Sequence, residues 1–151
     1  PWIIDNTADA LTVFDVSGGP GTSAIEVGQG STLTLANSIL SDISGGYCLV
    51  NDPANEATGL TATYTLFDQC DLGESENVTI DNGTCLIGES PMFVDTDVPD
   101  LTLQPGSAAI DSGDPAGDYS NEPSPNGCRV NMGAYGNSFS ATSKPGAQHC
   151  N

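Results

Sequence analysis

From residue 1 to residue 128 the chain contains no lysine, arginine or histidine; its basic side chains are Arg129, Lys144 and the single His149. Acidic residues show the opposite bias: 20 Asp and Glu, all between Asp5 and Glu122, leave a formal net charge of -18 over 151 residues. Such a field repels phosphate backbones and anionic lipid headgroups, and nothing here could neutralise a row of phosphates, which excludes nucleic-acid binding. No run of ten apolar residues occurs, so the sequence holds no candidate transmembrane helix and no signal-peptide core, and membrane insertion is not expected. Charged residues make up 15%, below the average for a domain, and Ala, Leu, Glu and Lys are too few for a helical bundle or coiled coil. What remains is a β-rich chain whose length suits one domain.

Acidic composition can signal disorder, but disordered acidic chains lack regular alternation of β-branched and apolar residues, and this sequence has it. The charge serves either solubility in a salty or calcium-containing medium or a specific role in holding cations. Five cysteines, Cys48, Cys70, Cys85, Cys128 and Cys150, are spread without a CxxC pair, and the lone histidine has no partner at metal-ligand spacing, so zinc is a poor reading. Disulfides are the better one. Cys70 with Cys85 and Cys128 with Cys150 would close loops of modest length and leave Cys48 over, although spacing alone does not fix the connectivity. The odd thiol is either free and buried or paired with a cysteine outside this sequence. Either way the cysteine content favours a secreted, extracellular or cell-surface protein. Asn77-Val78-Thr79 and Asn82-Gly83-Thr84 also fit the N-glycosylation acceptor, which matters only in a host that glycosylates.

Pro1-Trp2-Ile3-Ile4-Asp5 forms an apolar, strand-like opening of the kind left by processing or by a cut through something larger. Strand signals follow at Ala10 to Phe14, Ala24 to Val27, Leu33 to Leu40, Tyr47 to Val50, Leu60 to Phe67, Val78 to Ile80, Met92 to Val94 and Leu101 to Leu103. Each is short and bounded by Gly, Asp, Asn or Pro, and no window shows a convincing 3.6-residue period. Leu33 to Leu40 and Leu60 to Phe67 match in pattern at a spacing of 27, and Ala24 to Val27 and Tyr47 to Val50 match at 23, the difference falling in a longer loop at Asn51 to Thr58. A strand pair recurring at this interval predicts a parallel β-solenoid, in which one turn buries its inward face only by stacking on the next. Leu33, Leu35 and Ile39, with Leu60, Tyr64 and Leu66, are its expected interior. A β-sandwich would call for more tight hairpin dipeptides than the two present, Asn82-Gly83 and Asn126-Gly127.

Between Ser90 and Ala141 the sequence becomes more specific. Ser90-Pro91-Met92-Phe93-Val94-Asp95, the run from Leu101 through Gly106-Ser107-Ala108-Ala109-Ile110-Asp111 to Gly113-Asp114-Pro115, and Arg129-Val130-Asn131-Met132-Gly133-Ala134-Tyr135-Gly136 resemble the C-terminal end of right-handed parallel β-helix proteins secreted by many bacteria. Ala108 stands where those proteins usually have Pro, Asn131 where they have Asp, and Gly136 where they often have Glu. The resemblance covers the last third strongly and implies an all-β, right-handed parallel β-helix of a few turns with an irregular C-terminal cap. The expected layout is one domain, with helix turns over residues 1-110 and a capping loop and tail over 111-151.

An open last turn would expose the interior and unpaired backbone, so a loop rich in Pro, Gly, Asp and Ser from Asp111 to Asn126 suits a cover over that end. Arg129, the strong planar donor of the chain, is expected to form a structural ion pair there with Asp111, Asp114 or Asp118. Asp111, Asp114, Asp118 and Asn121, or Asp95, Asp97 and Asp100, supply hard oxygen ligands that suit Ca2+ without EF-hand spacing; exposed acidic loops are the alternative. Parallel β-helix proteins also resemble pectate lyases, alginate epimerases and tailspike glycosidases. Uronate lyases need a base plus a cation to neutralise the substrate carboxylate, which leaves only Tyr47, Tyr64 or bound calcium here. Asp68 with Asp71, or Glu74 with Glu76, could nominally serve a glycosidase, though such pairs arise by chance in so acidic a chain. The expected function is therefore non-catalytic: an extracellular structural or adhesive domain that is able to stack on itself into filaments, with binding or cleavage of extracellular polysaccharide as the alternative.

Overall fold

The computed structural model describes residues 6–9, 11–17, 23–27, 32–51, 59–71, 73–98 and 100–150. The opening segment at residues 1–5 and the loop at 52–58, both singled out in the sequence, lie outside the described residues. The described chain is all-β, with thirteen strands and no helix. In order these are β1 (Asn6–Asp9), β2 (Thr12–Ser17), β3 (Ile25–Val27), β4 (Thr32–Ala36), β5 (Ile39–Ser44), β6 (Tyr47–Asn51), β7 (Gly59–Ala62), β8 (Leu66–Cys70), β9 (Gly73–Glu76), β10 (Thr79–Ile80), β11 (Leu86–Ile87), β12 (Phe93–Asp95) and β13 (Asp100–Leu103).

Three sheets are parallel throughout. The first runs β1-β4-β7-β10, the second β2-β5-β8-β11 and the third β3-β6-β9, so each takes one strand from each successive repeat. The spacing of 27 seen in sequence is the pairing register itself: Leu33 lies beside Leu60, Ile39 beside Leu66 and Thr12 beside Ile39. The match at 23 is one residue off, because Ile25 pairs with Leu49 and Glu26 with Val50. β12 and β13 are antiparallel, joined as a hairpin outside the parallel stack.

Two runs read in sequence as single strands are each two. Leu33 to Leu40 breaks at Asn37 and Leu60 to Phe67 at Tyr64, which occupy left-handed backbone with φ of 47° and 45°. Asn adopts that conformation more readily than most residues, whereas an aromatic does so only where its surroundings hold it there. At these corners the chain turns from the first sheet into the second, and Leu66 N–H reaches back to Ser38 O (2.9 Å).

The split also divides the expected interior. Leu33, Leu35 and Leu60 pack with Leu40, Ile43, Leu49 and Phe67 in one cluster, whereas Ile39 and Leu66 belong to a second one with Phe93, Leu103, Ala109, Ile110 and Met132, against which Tyr64 also packs. The placement of Ile39, Tyr64 and Leu66 in the shared interior is thus corrected. Adjacent residues of a strand point to opposite faces, so Ile39-Leu40 and Leu66-Phe67 bury both faces of the second sheet. One face meets the other sheets, and the other is covered by residues 93–132. All four side chains are fully buried.

That cover runs along the repeats. Ala134 N–H donates to Thr12 Oγ1 (2.8 Å), Gly133 N–H to Asn37 O (2.7 Å), and Asp114 N–H to Asn37 Oδ1, while Arg129 lies 5.5 Å from the Tyr64 ring centroid. These partners come from three consecutive repeats. The residues expected as a lid over the end of the stack therefore make these contacts along its side. Gly133 marks one close approach: at φ 94° it lies where a Cβ would sit 2.8 Å from Ile39 Cδ1 and 3.0 Å from Thr12 Oγ1.

Leu66→Ala should cost about 2–5 kcal/mol and Phe67→Ala about 3–5 kcal/mol in denaturant unfolding, since both leave cavities on opposite faces of the same strand. Gly133→Ala should cost more than about 1 kcal/mol through its positive φ and the contact with Ile39. A near-neutral Leu66→Ala would mean that the second sheet is covered on one face only.

Candidate functional site

Two residues beyond Ile39 and Leu66 on the same face of the second sheet come Ser41 and Asp68, paired side by side in the ladder. Here the apolar column gives way to a polar one, and the cover changes from a packed segment to a cleft of about 310 Å³. Ser41 and Asp68 share its lining with Asp42, Gln69, Ser90, Pro91, Met92, Phe93 and Thr96. Three of these, Asp42, Gln69 and Met92, hold left-handed backbone, with φ of 59°, 49° and 51°. Asp42 and Gln69 stack in successive repeats, so the turn is built twice in the same place.

Asp68 is 9% exposed and Ser41 2%. Asp68 Oδ2 accepts one hydrogen bond, from Gln69 Nε2 at 3.2 Å. The Ser41 hydroxyl has no partner among the described residues. Neither group is sealed off, because the single buried side-chain polar atom without a partner among the described residues is Asp111 Oδ1. The cleft therefore offers two carboxylates as acceptors, an amide, hydroxyls and the apolar surfaces of Pro91, Met92 and Phe93.

The remaining sequence candidates are dispersed. Asp71 Oδ2 accepts Gly45 N–H (2.8 Å) and Asp71 does not line the cleft that holds Asp68, while Glu74 and Glu76 lie on β9 in the third sheet. Asp114 Oδ1 accepts Ala116 N–H (2.8 Å), Asp118 accepts Ser120 N–H (2.9 Å) and Asn137 Nδ2 (3.2 Å), and Asn121 N–H donates to Asn137 Oδ1 (3.1 Å). Asp95 and Asp100 likewise close local turns, onto Asp97 and Val98 and onto Thr102. No group of three His, Cys, Asp or Glu among the described residues is placed to hold a metal ion.

Among the described residues Arg129 forms no ion pair with Asp111, Asp114 or Asp118; its Nε donates to Gly113 O and its guanidinium faces the Tyr64 ring. Asp111 lies instead against Gly127, where a Cβ would meet its carboxylate, and its Oδ1 is buried without a partner among the described residues. The organising carboxylate of this segment is one the sequence did not single out. Glu122, 6% exposed, accepts from both Asn131 N–H (2.8 Å) and Asn137 N–H (2.9 Å) through Oε1. Burial pushes its pKa up, the charge of Asp111 adds to that, and the two backbone donors oppose it. Burial likewise raises Asp111, against the pull of Lys144.

Cys48 is bonded to Cys70 and Cys128 to Cys150, with Cα–Cα distances of 5.5 and 5.3 Å. The pairing of Cys70 with Cys85 is thus replaced by Cys70 with Cys48. Cys85 sits in the interior as a buried thiol whose Sγ lies 3.4 Å from Ala62 O, and burial raises its pKa.

Peptide mapping without reduction should return the Cys48–Cys70 and Cys128–Cys150 bridges, with Cys85 alkylated only after unfolding; a Cys70–Cys85 peptide would contradict this arrangement. Reducing the Cys48–Cys70 bridge, whose ends are 22 residues apart, should cost about 3 kcal/mol. The pH dependence has a definite sign. Carboxylates raised on folding, Glu122 and Asp111, contribute stability that is complete below the ordinary range near about pH 4 and lost as pH climbs through their raised values. Asp100 and Asp118, lowered by hydrogen bonds from Thr102 and Ser120, lose theirs as pH falls through their lowered values. Stability should therefore decline on the climb out of the ordinary carboxylate range, and Glu122→Gln should flatten that decline in thermal melts from pH 4 to pH 7.

Compared with known proteins, the chain matches no protein-family model, no curated protein and no solved structure.

Proposed function

We propose that the chain is a non-catalytic extracellular or cell-surface domain with a structural or adhesive role, built as a right-handed parallel β-helix and buttressed along one side by its C-terminal segment. The observation that carries this reading is the constant order of the three parallel sheets, each receiving one strand per repeat in register. Winding the chain once per repeat through three faces is the simplest path that satisfies it. The similarity of Ser90 to Gly136 to the C-terminal end of secreted bacterial β-helix proteins points the same way. Two disulfides suit an oxidising, extracellular setting, and an acidic surface suits solubility there.

Catalysis on polysaccharides is the weaker reading. The cleft at Ser41 and Asp68 is lined by no Lys, Arg or His that could neutralise a uronate carboxylate or serve as a base. Filament growth is not required by the proposal. One end of the stack offers β10 and β11, two residues each, and β9, which brings Glu74 and Glu76; short and charged edges resist pairing with a second copy.

Light scattering under non-reducing conditions should give a monomer in calcium and in chelator alike, and incubation with neutral and uronate polysaccharides should yield no new reducing ends and no unsaturated uronate. Saccharide cleavage abolished by Asp68→Asn would overturn the reading in favour of an enzyme.

A further inference from the structure

We propose that the cleft at Ser41 and Asp68 binds an organic cation: an ammonium or guanidinium head carried on an aliphatic stem. Its side chains set the first condition on a ligand. Carboxylate oxygens accept hydrogen bonds, so a ligand for Asp42 and Asp68 has to bring donors. Phosphates, sulfates and carboxylates are excluded by these two charges and by the net charge of -18 around them.

Burial then separates a cation from a neutral ligand. Asp68 is nine-tenths buried, yet its one hydrogen bond comes from a neutral neighbouring amide, and the Ser41 hydroxyl beside it has no partner among the described residues. A desolvated carboxylate so weakly compensated gains most from a charged donor. Sugars, by contrast, are held against exposed aromatic faces, and the aromatic of this cleft, Phe93, is 7% exposed and packed in the second core. The accessible apolar wall is Met92, at 39% exposure, beside Pro91. A flexible thioether and a proline ring suit an alkyl stem that leads a charged head inward to Asp68. Asp42 and Gln69, each in left-handed backbone, line the same cleft.

The probe is agmatine, titrated into the full disulfide-bonded chain and followed by amide resonances. Shifts confined to Ser41, Asp42, Asp68, Gln69 and residues 90–96, saturating at about millimolar concentration, are expected. Asp68→Asn should weaken binding by about tenfold or more, and Asp42→Asn, less buried and a safeguard should the first variant fold poorly, by about threefold. Glu26→Gln, an exposed charge on β3, should change nothing. A capped arginine tripeptide separates the sources: tighter binding than agmatine assigns the site to a side chain of a partner protein, and weaker binding to a free amine. The proposal is overturned if shifts spread over all acidic residues and Glu26→Gln reduces them as much as Asp68→Asn, or if maltose saturates the cleft and agmatine does not. Neither failure would touch the structural role proposed for the chain, which rests on the ladders.

Discussion

The structure depends on one constraint: at Ile39-Leu40 and Leu66-Phe67 the second sheet is apolar on both faces. A parallel sheet with a solvated face would need only an interior to pack against, but Ile39 and Leu66 turn away from that interior and are as deeply buried as Leu40 and Phe67. Each such side chain is worth about 1.5–3 kcal/mol on burial, so leaving the outer column bare would forfeit much of the margin by which a domain of this size is stable. The C-terminal third is what covers it. Its Ala109, Ile110 and Met132 supply the opposing surface, and the hairpin of β12 and β13 adds Phe93 and Leu103.

Irregular backbone can cover a sheet only if its own polar groups are satisfied. Asn37 does this from the stack, giving its main-chain oxygen to Gly133 and its side-chain oxygen to Asp114. Glu122 does it within the cover, holding Asn131 and Asn137, while Asn131 in turn takes Asp111 N–H and donates to Thr142 O. Thr142 closes the circuit onto Leu103 O. An unpaired member of such a network is costly, and Asp111 Oδ1, buried and unpartnered among the described residues, is the link this one leaves open. Where the cover stops, the same face of the sheet turns from Ile and Leu to Ser and Asp, and the cleft begins.

The repeat and its register were legible because a stacked ladder writes its spacing directly into the sequence: Leu33 and Leu60 align at 27, and so do the residues after them. The corners were not, since Asn37 and Tyr64 interrupt apolar runs without a Gly or Pro, and a left-handed aromatic has no compositional signal. Ile39 and Leu66 were legible as buried but not as facing outward, because a doubly buried strand shows no alternation to say which side is which. Of the candidate site, Asp68 was visible as half of an acidic pair whose other member, Asp71, does not line the cleft; Ser41 and Gln69 carry no motif and became notable only through the burial of the first and the contact of the second with Asp68. Glu122 went unnoticed for the same reason. The Cys48–Cys70 bridge spans strands of different sheets, a proximity that spacing along the chain does not encode.

Native-state hydrogen exchange tests the central claim most directly, by asking whether the C-terminal cover and the ladders open together. Gly133 N–H, bonded to Asn37 O, and Met132 N–H, bonded to Ala109 O, report on the cover; Leu66 N–H, bonded to Ser38 O, reports on the stack. If the second sheet needs both faces buried, all three amides exchange with the same opening free energy and the same denaturant dependence, as one cooperative unit. Rapid exchange at Gly133 and Met132 while Leu66 stays protected would show that the stack stands without its cover, and would contradict a fold that depends on burying both faces of the second sheet.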